Sequence, residues 1–220
     1  MSERFRAYRV ERSGEGTSAA VRDLEVADLP AGDLLVRVAY SSLNYKDALS
    51  ARGMPGVTRE YPHTPGIDAS GTVLSSDVNG FAPGDQVIVT SYDLGMNTPG
   101  GYGELIRVPA SWALPLPPGL SLREAMILGT AGLTAGMALA ALQRHGLQAD
   151  HRPLFVSGAS GGVGSFAVAL LAGNGFEVVA ASGKREAHGW LKELGAASTV
   201  GREELGEPST RPLLKGAYAG

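Results

Sequence analysis

Apolar and polar positions follow two different rhythms along this chain. Up to about residue 118 the apolar residues come in short runs, and Leu34-Leu35-Val36-Arg37-Val38-Ala39-Tyr40, Gly71-Thr72-Val73-Leu74 and Gln86-Val87-Ile88-Val89-Thr90 read as strands. Turn chemistry bounds them at Leu29-Pro30-Ala31-Gly32-Asp33 and at Pro83-Gly84-Asp85. Short strands at this spacing predict a small barrel or sandwich. One helix interrupts them: Asn44 can cap Tyr45-Lys46-Asp47-Ala48-Leu49, with Asp47 closing a variant capping box.

The segment Leu114-Pro115-Leu116-Pro117-Pro118-Gly119-Leu120-Ser121 carries too much proline for a helix or a central strand, and it marks the expected boundary between domains 1–118 and 119–220. Beyond it a helical pattern runs from about Leu122 to Leu142. A strand (Pro153 to Ser157), a helix through Val163 to Leu171, a strand (Phe176 to Ala181) and a helix near Glu186 to Leu194 follow. This alternation predicts a parallel α/β sheet.

Composition narrows the function classes. With 44% hydrophobic and 19% charged residues the chain can bury a core. Glycine, at 31 of 220 residues, is about twice its usual ~7% share and implies many tight turns and close backbone approaches. A formal charge of -3 supplies no broad positive field, so nucleic acid is not expected as a partner. The absence of cysteine removes disulfides, thiolate nucleophiles and Cys-ligated metal sites together. The start, Met1 to Arg6, mixes charges unlike a secretory signal, and no run approaches the ~18 consecutive apolar residues of a membrane span. A soluble cytoplasmic protein that does not engage a membrane is expected.

The most informative stretch is Gly158-Ala159-Ser160-Gly161-Gly162-Val163-Gly164, a G-x-x-G-x-x-G turn between an apolar strand and a helix. Small residues let the backbone approach a pyrophosphate, and free N–H groups at a helix start favour the anion. Ser160, Gly161, Gly162 and Val163 are therefore the candidate contacts. A carboxylate at the end of the next strand would bind the adenosine ribose of NAD. Here Ser182-Gly183-Lys184-Arg185 stands in that place without an acid, and Arg202 follows the next apolar stretch, Ala196 to Val200. Ser182, Gly183, Lys184 and Arg202 together suit the extra phosphate of NADPH. Ordinary solvated cations are the alternative for Lys184 and Arg202 taken singly.

Five blocks, Ser41-Ser42-Leu43-Asn44-Tyr45-Lys46-Asp47-Ala48-Leu49, Pro65-Gly66-Ile67-Asp68, Gly129-Thr130-Ala131-Gly132, Ser157 to Gly164, and Leu191-Lys192-Glu193-Leu194-Gly195-Ala196, carry a family resemblance. The chain resembles the zinc-independent medium-chain dehydrogenases/reductases of the quinone oxidoreductase branch, and within them the acrylyl-CoA reductases. The resemblance implies a fold of α/β and β class: a GroES-like barrel domain followed by a partial Rossmann doubly wound parallel sheet, with the active cleft between them. It implies NADPH-dependent reduction of the carbon-carbon double bond of an enoyl thioester, no metal, and a family homodimer. Quinone reduction by NADPH is the competing activity, and a non-catalytic NADPH-binding module the competing class.

The histidines, His63, His145, His151 and His188, show no metal-ligand spacing. Without a Lewis acid, conjugate reduction can proceed from an acyl oxygen held by hydrogen bonds. Tyr45, at the family's NADPH-contacting Tyr-Lys-Asp position, is the first catalytic candidate: it orients the nicotinamide, donates the proton, or does both. An aromatic packed into the barrel is the alternative. Asn44 is the second candidate, with a pure capping role as its alternative. Thr134 can reach a nicotinamide amide or its own helix backbone, and Asp68 reads as structural. The loop Gly95 to Gly103 reads equally as a wall of the acyl pocket or as a flexible turn.

A short-chain dehydrogenase carries its glycine pattern near the N-terminus and a later Tyr-x-x-x-Lys, and neither is found here. A full dinucleotide fold has two βαβαβ halves, of which only the first is written; the second needs on the order of 90 more residues. The expectation is a fragment with an open strand edge at Leu154 to Val156, prone to association and of little activity by itself.

Overall fold

The computed structural model describes residues 4–14, 16–149 and 153–203. They form two compact units that part between Thr130 and Ala131.

The first unit opens with a hairpin, β1 (Arg4–Ser13) and β2 (Gly16–Glu25), paired antiparallel from Arg4↔Glu25 to Ser13↔Gly16. Its alternation puts Phe5 and Ala7 inward, where they pack with Leu29, Leu35 and Leu105, while Val10, out of phase with them, is also buried. Next come β3 (Leu34–Tyr40), α1 (Tyr45–Ala51), β4 (Asp68–Ser76), β5 (Gln86–Thr90), β6 (Leu105–Val108) and β7 (Ala113–Pro115). These strands build an open antiparallel sheet of order β6-β3-β4-β5-β7. Leu34, Val36, Val73, Val87, Val89, Ile106 and Val108 fill its core. Pro115 is tolerated because β7 is an edge strand, paired only with β5.

The helix α2 (Leu122–Arg144) spans the point where the units part. Its 18-residue window of mean hydropathy 1.8 has the length and composition of a membrane span, contrary to the expectation from uninterrupted apolar runs. Gly129, at φ 49 and ψ -157, breaks it, and neither resulting piece has the ~20 residues that a span requires.

The second unit continues with β8 (Leu154–Val156), α3 (Gly162–Gly173), β9 (Val178–Ala181), α4 (His188–Glu193) and β10 (Ser198–Val200). The three strands are parallel, in the order β10-β9-β8. All four residues of β9 are buried, as expected for the centre of a parallel sheet. Leu139, Leu154, Val168, Leu171, Phe176, Val178 and Leu191 form its core. The expected helix near Glu186 to Leu194 is a 3-10 turn, Arg185–Ala187, running into α4.

Candidate functional site

In the second unit the glycine-rich turn lies between β8 and α3. Gly158 has φ +59, a conformation other residues rarely adopt, and the turn closes through Gly161 N–H to Gly158 O at 2.9 Å. Ala159 N–H reaches Ala181 O at 3.0 Å, tying the turn to the end of β9. A Cβ on Gly164 would sit 2.4 Å from Gly158 O, so only glycine lets the helix approach the turn this closely. Since α3 begins at Gly162, the amides of Gly162, Val163 and Gly164 precede the first helical bond, which Ser165 donates to Gly161 O at 2.9 Å. These amides and the positive end of the helix dipole are suited to an anion.

The ends of β9 and β10 complete the place. Ser182 N–H donates to Val200 O at 3.0 Å, which brings the residues after the two strands together. Ser160 Oγ and Ser182 Oγ lie 2.8 Å apart, and Ser182 Oγ accepts the Lys184 N–H at 3.1 Å. A cavity of about 640 Å³ is lined by Ser157, Gly158, Ser160, Ala181, Ser182, Gly183, Lys184, Arg202 and Glu203. The Arg202 Nε lies 3.6 Å from where a Gly183 Cβ would stand. The structure thus gathers Ser160, Ser182, Gly183, Lys184 and Arg202 around one cavity, with Gly161, Gly162 and Val163 on the adjoining turn and helix start. It adds an acid that the strand-end pattern left out: Glu203, whose carboxylate is paired with Arg185.

In the first unit Tyr45 begins α1 and is 80% exposed, so its ring is not packed into the sheet. Asn44 precedes it, and its backbone N–H donates to Asp47 Oδ2 at 2.8 Å, the return bond expected of the capping box. The Asn44 side-chain amide turns to Asp68, Nδ2 donating to Oδ2 at 2.8 Å. Asp68 is fully buried, and its carboxylate also accepts Thr130 N–H at 3.0 Å, Thr130 Oγ1 at 2.7 Å and Thr90 Oγ1. Burial pushes the carboxyl pKa up, but the hydrogen bonds from Thr90, Thr130 and Asn44 outweigh it and hold the group below the usual carboxylate range. The left-handed break at Gly129 leads into the Thr130 amide that bonds Asp68, and a Cβ there would lie 2.9 Å from Asp68 Oδ2. Asp68 is thus the ionic hub that holds Asn44, β5 and the start of the second part of α2.

A second hub lies beneath α1. Asp47, buried, accepts Gly66 N–H at 3.1 Å and Ile67 N–H at 2.9 Å on one oxygen, and the Tyr102 hydroxyl at 3.1 Å on the other. Burial first, then the charge of Asp47, raises the Tyr102 phenol pKa strongly. The loop Gly95 to Gly103 is packed backbone on backbone: a Cβ on Gly100 would come 2.2 Å from Gly66 O, and one on Gly95 would come 2.4 Å from Gly66 C. Its glycines serve close approach. His63, buried, bonds Gly95 O through Nε2 at 2.8 Å. Thr134 lies exposed on α2. Among the described residues no group of three or more His, Cys, Asp or Glu stands together as a metal site.

An antiparallel sheet with a buried acid at its centre, joined in sequence to a parallel sheet with an N-terminal anion turn, is the architecture of a medium-chain dehydrogenase/reductase. Residues 30–118 match the alcohol dehydrogenase GroES-like domain. The putative quinone oxidoreductase YhfP of Bacillus subtilis is 44% identical over 220 residues, which are 100% of this chain and 67% of the relative. The acrylyl-CoA reductase AcuI of Ruegeria pomeroyi is 47% identical over 210 residues, 96% of this chain and 63% of the relative. The crystal structure of the Salmonella enterica YhdH oxidoreductase in complex with NADP superposes with a TM-score of 0.92 at 46% identity, covering 97% of this chain and 65% of that one. YhfP was itself solved with NAD bound, and superposes with a TM-score of 0.94 at 43% identity, covering 99% and 66%. The chain belongs to the acrylyl-CoA reductase and quinone oxidoreductase family of medium-chain dehydrogenases/reductases. It spans about two thirds of the length of these relatives.

Proposed function

We propose that this chain carries the GroES-like catalytic domain and the cofactor-binding turn of an enzyme that reduces the activated carbon-carbon double bond of an acrylyl-CoA-type enoyl thioester with NADPH. The observation that carries the reading is the cavity at the strand ends, where two cations and two hydroxyls adjoin a turn with amides free of helical partners. The residues fit the cofactor. The Gly162, Val163 and Gly164 amides take the pyrophosphate, and Gly161 with Gly158 leaves room for it. Ser160, Ser182, Gly183, Lys184 and Arg202 take the adenosine 2′-phosphate. NADPH, when bound, supplies the hydride that the β carbon of the substrate receives. Relatives named for acrylyl-CoA reduction, at 44% and 47% identity, favour the thioester.

Tyr45 is the residue we assign to orienting the nicotinamide or delivering a proton to the α carbon, because its side chain stands out from the fold. Asn44 is held by Asp68 through its side-chain amide and by Asp47 through its backbone, so it fixes the turn from which Tyr45 projects. Its contribution to catalysis is to hold that geometry. Quinone reduction is the second reading, favoured by the name of the B. subtilis relative. The family homodimer and a cytoplasmic location complete the proposal.

The test is a fluorescence titration of NADPH and NADH into the wild-type chain and a Lys184→Glu variant, followed by NADPH oxidation assays with acrylyl-CoA and with quinones. The wild type is expected to prefer NADPH and the variant to lose that preference. Equal affinity for both cofactors in the wild type would overturn the cofactor assignment. Faster turnover of quinones than of acrylyl-CoA would favour the second reading, and binding with no oxidation of NADPH by either acceptor would favour a binding module.

A further inference from the structure

The cavity proposed for the 2′-phosphate contains its own antagonist. Glu203 lines it beside Lys184 and Arg202, and a carboxylate at such a corner repels phosphate. Its charge is not left open: Oε1 of Glu203 accepts Nη2 of Arg185, the residue next to Lys184 on the turn after β9. The backbone makes room for this arrangement, since a Cβ on Gly201 would stand 2.8 Å from Glu203 Cδ and Oε1. The Arg185 hydrogen bond, followed by one from the Glu203 backbone N–H, keeps the carboxyl below the usual carboxylate range, so the acid is charged at neutral pH.

We propose that Arg185 is a specificity-determining residue: by pairing with Glu203 it cancels the one negative charge among the described lining residues of the cavity and leaves Lys184 and Arg202 to select NADPH over NADH. The inference rests on the reading of this cavity as the 2′-phosphate site. With the pair formed, Lys184 and Arg202 give the described residues of the corner a net charge of two. With Arg185 removed, the same two cations share the corner with a carboxylate able to turn toward the same space, and its net charge falls to one. Solved relatives hold NADP in one case and NAD in another, so this family contains the choice that such a pair would tune. The ion pair is exposed, with side chains 81% and 55% accessible. Exposed pairs contribute little to stability, so replacing either member leaves the fold intact.

The experiment is a double-mutant cycle on binding, with wild type, Arg185→Ala, Glu203→Gln and the double variant titrated with NADPH, NADH and 2′,5′-ADP. Two unit charges about 8 Å apart near a protein surface would change affinity about thirtyfold without salt, and screening at physiological ionic strength brings this to about threefold to tenfold. Arg185→Ala is therefore expected to weaken NADPH and 2′,5′-ADP by about that factor and leave NADH unchanged. The double variant, which again has two cations and no acid, is expected to return both to within about twofold of wild type. A flat cycle would overturn the inference, as would a double variant as weak as Arg185→Ala, which would mean that Arg185 binds phosphate directly. The Lys184→Glu variant separates the two levels. If it abolishes NADPH preference while the cycle is flat, only the role of Arg185 fails. If wild type has no preference to lose, the phosphate site itself fails and this inference with it.

Discussion

Replacing Asp68 tests whether the first unit is held by a buried charge. Two of its four hydrogen-bond donors, the Thr90 and Thr130 hydroxyls, lie 3.2 Å apart and can rotate to bond one another. The other two, the Asn44 side-chain amide and the Thr130 N–H, both donate to Oδ2. Asp68→Ala removes the charged acceptor of all four; such bonds contribute about 1.5–3 kcal/mol each and rearrangement replaces part of them, so a loss of about 2–5 kcal/mol is expected. Asp68→Asn keeps an oxygen at the Oδ2 side and offers its amide to the rotatable hydroxyls. It loses only the charge assistance, about 1–2 kcal/mol.

Urea unfolding followed by Trp112 fluorescence in a Trp190→Phe background reports on this unit, because Trp112 lies within it, stacked on Tyr92 at 5.3 Å. The pH dependence separates charge from shape. The folded-state pKa of Asp68 is depressed, so its contribution is fully present above the unfolded value of about 4 and is lost as pH falls through the lower folded value. The gap between wild type and Asp68→Asn should accordingly hold from pH 7 to about 5 and close on further acidification. A gap below about 0.5 kcal/mol at pH 7, or one that persists undiminished to pH 2.5, would refute the ionic-hub reading.

Four further outcomes follow from the same physics. Gly164→Ala drives a Cβ into Gly158 O and should weaken NADPH binding at least tenfold while destabilising the second unit by about 1–3 kcal/mol; Gly136→Ala, with open space on α2, should instead stabilise by about 0.5–1 kcal/mol in thermal melts. Tyr45→Ala, at an 80% exposed position, should change stability by less than about 0.5 kcal/mol while lowering turnover of the enoyl thioester, and unchanged turnover would remove Tyr45 from the chemistry. His63 has a pKa lowered chiefly by burial, so the stability it contributes is present above its unfolded pKa of about 6.5 and lost as pH falls toward the folded value. His63→Gln should flatten the slope of stability between about pH 6.5 and 5, as read by urea midpoints.

Local pattern was enough for much of this molecule. Leu34 to Tyr40 and Gln86 to Thr90 are strands over the residues that the short apolar runs predicted, and α3 begins at Gly162, within the glycine-rich stretch. Those features depend on side-chain period and backbone freedom, which neighbours in sequence settle among themselves. Lys184 and Arg202 were legible as a pair because parallel strands end on the same side of a sheet.

Only the tertiary structure decided what Asp68, Asp47 and Glu203 do. Asp68 reads from the chain as a lone structural acid, yet Asn44, Thr90 and Thr130 converge on it from three separate elements. Asp47 has the local signature of a cap, while its bonds to Gly66, Ile67 and Tyr102 come from distant segments. The loop from Gly95 to Gly103 reads equally as lid or linker until its contact with Gly66 shows why glycine stands there. In each case the deciding partner is far away in sequence. Periodicity carries no trace of such a partner, because a hydrogen bond or a close backbone approach depends on where two segments meet in space.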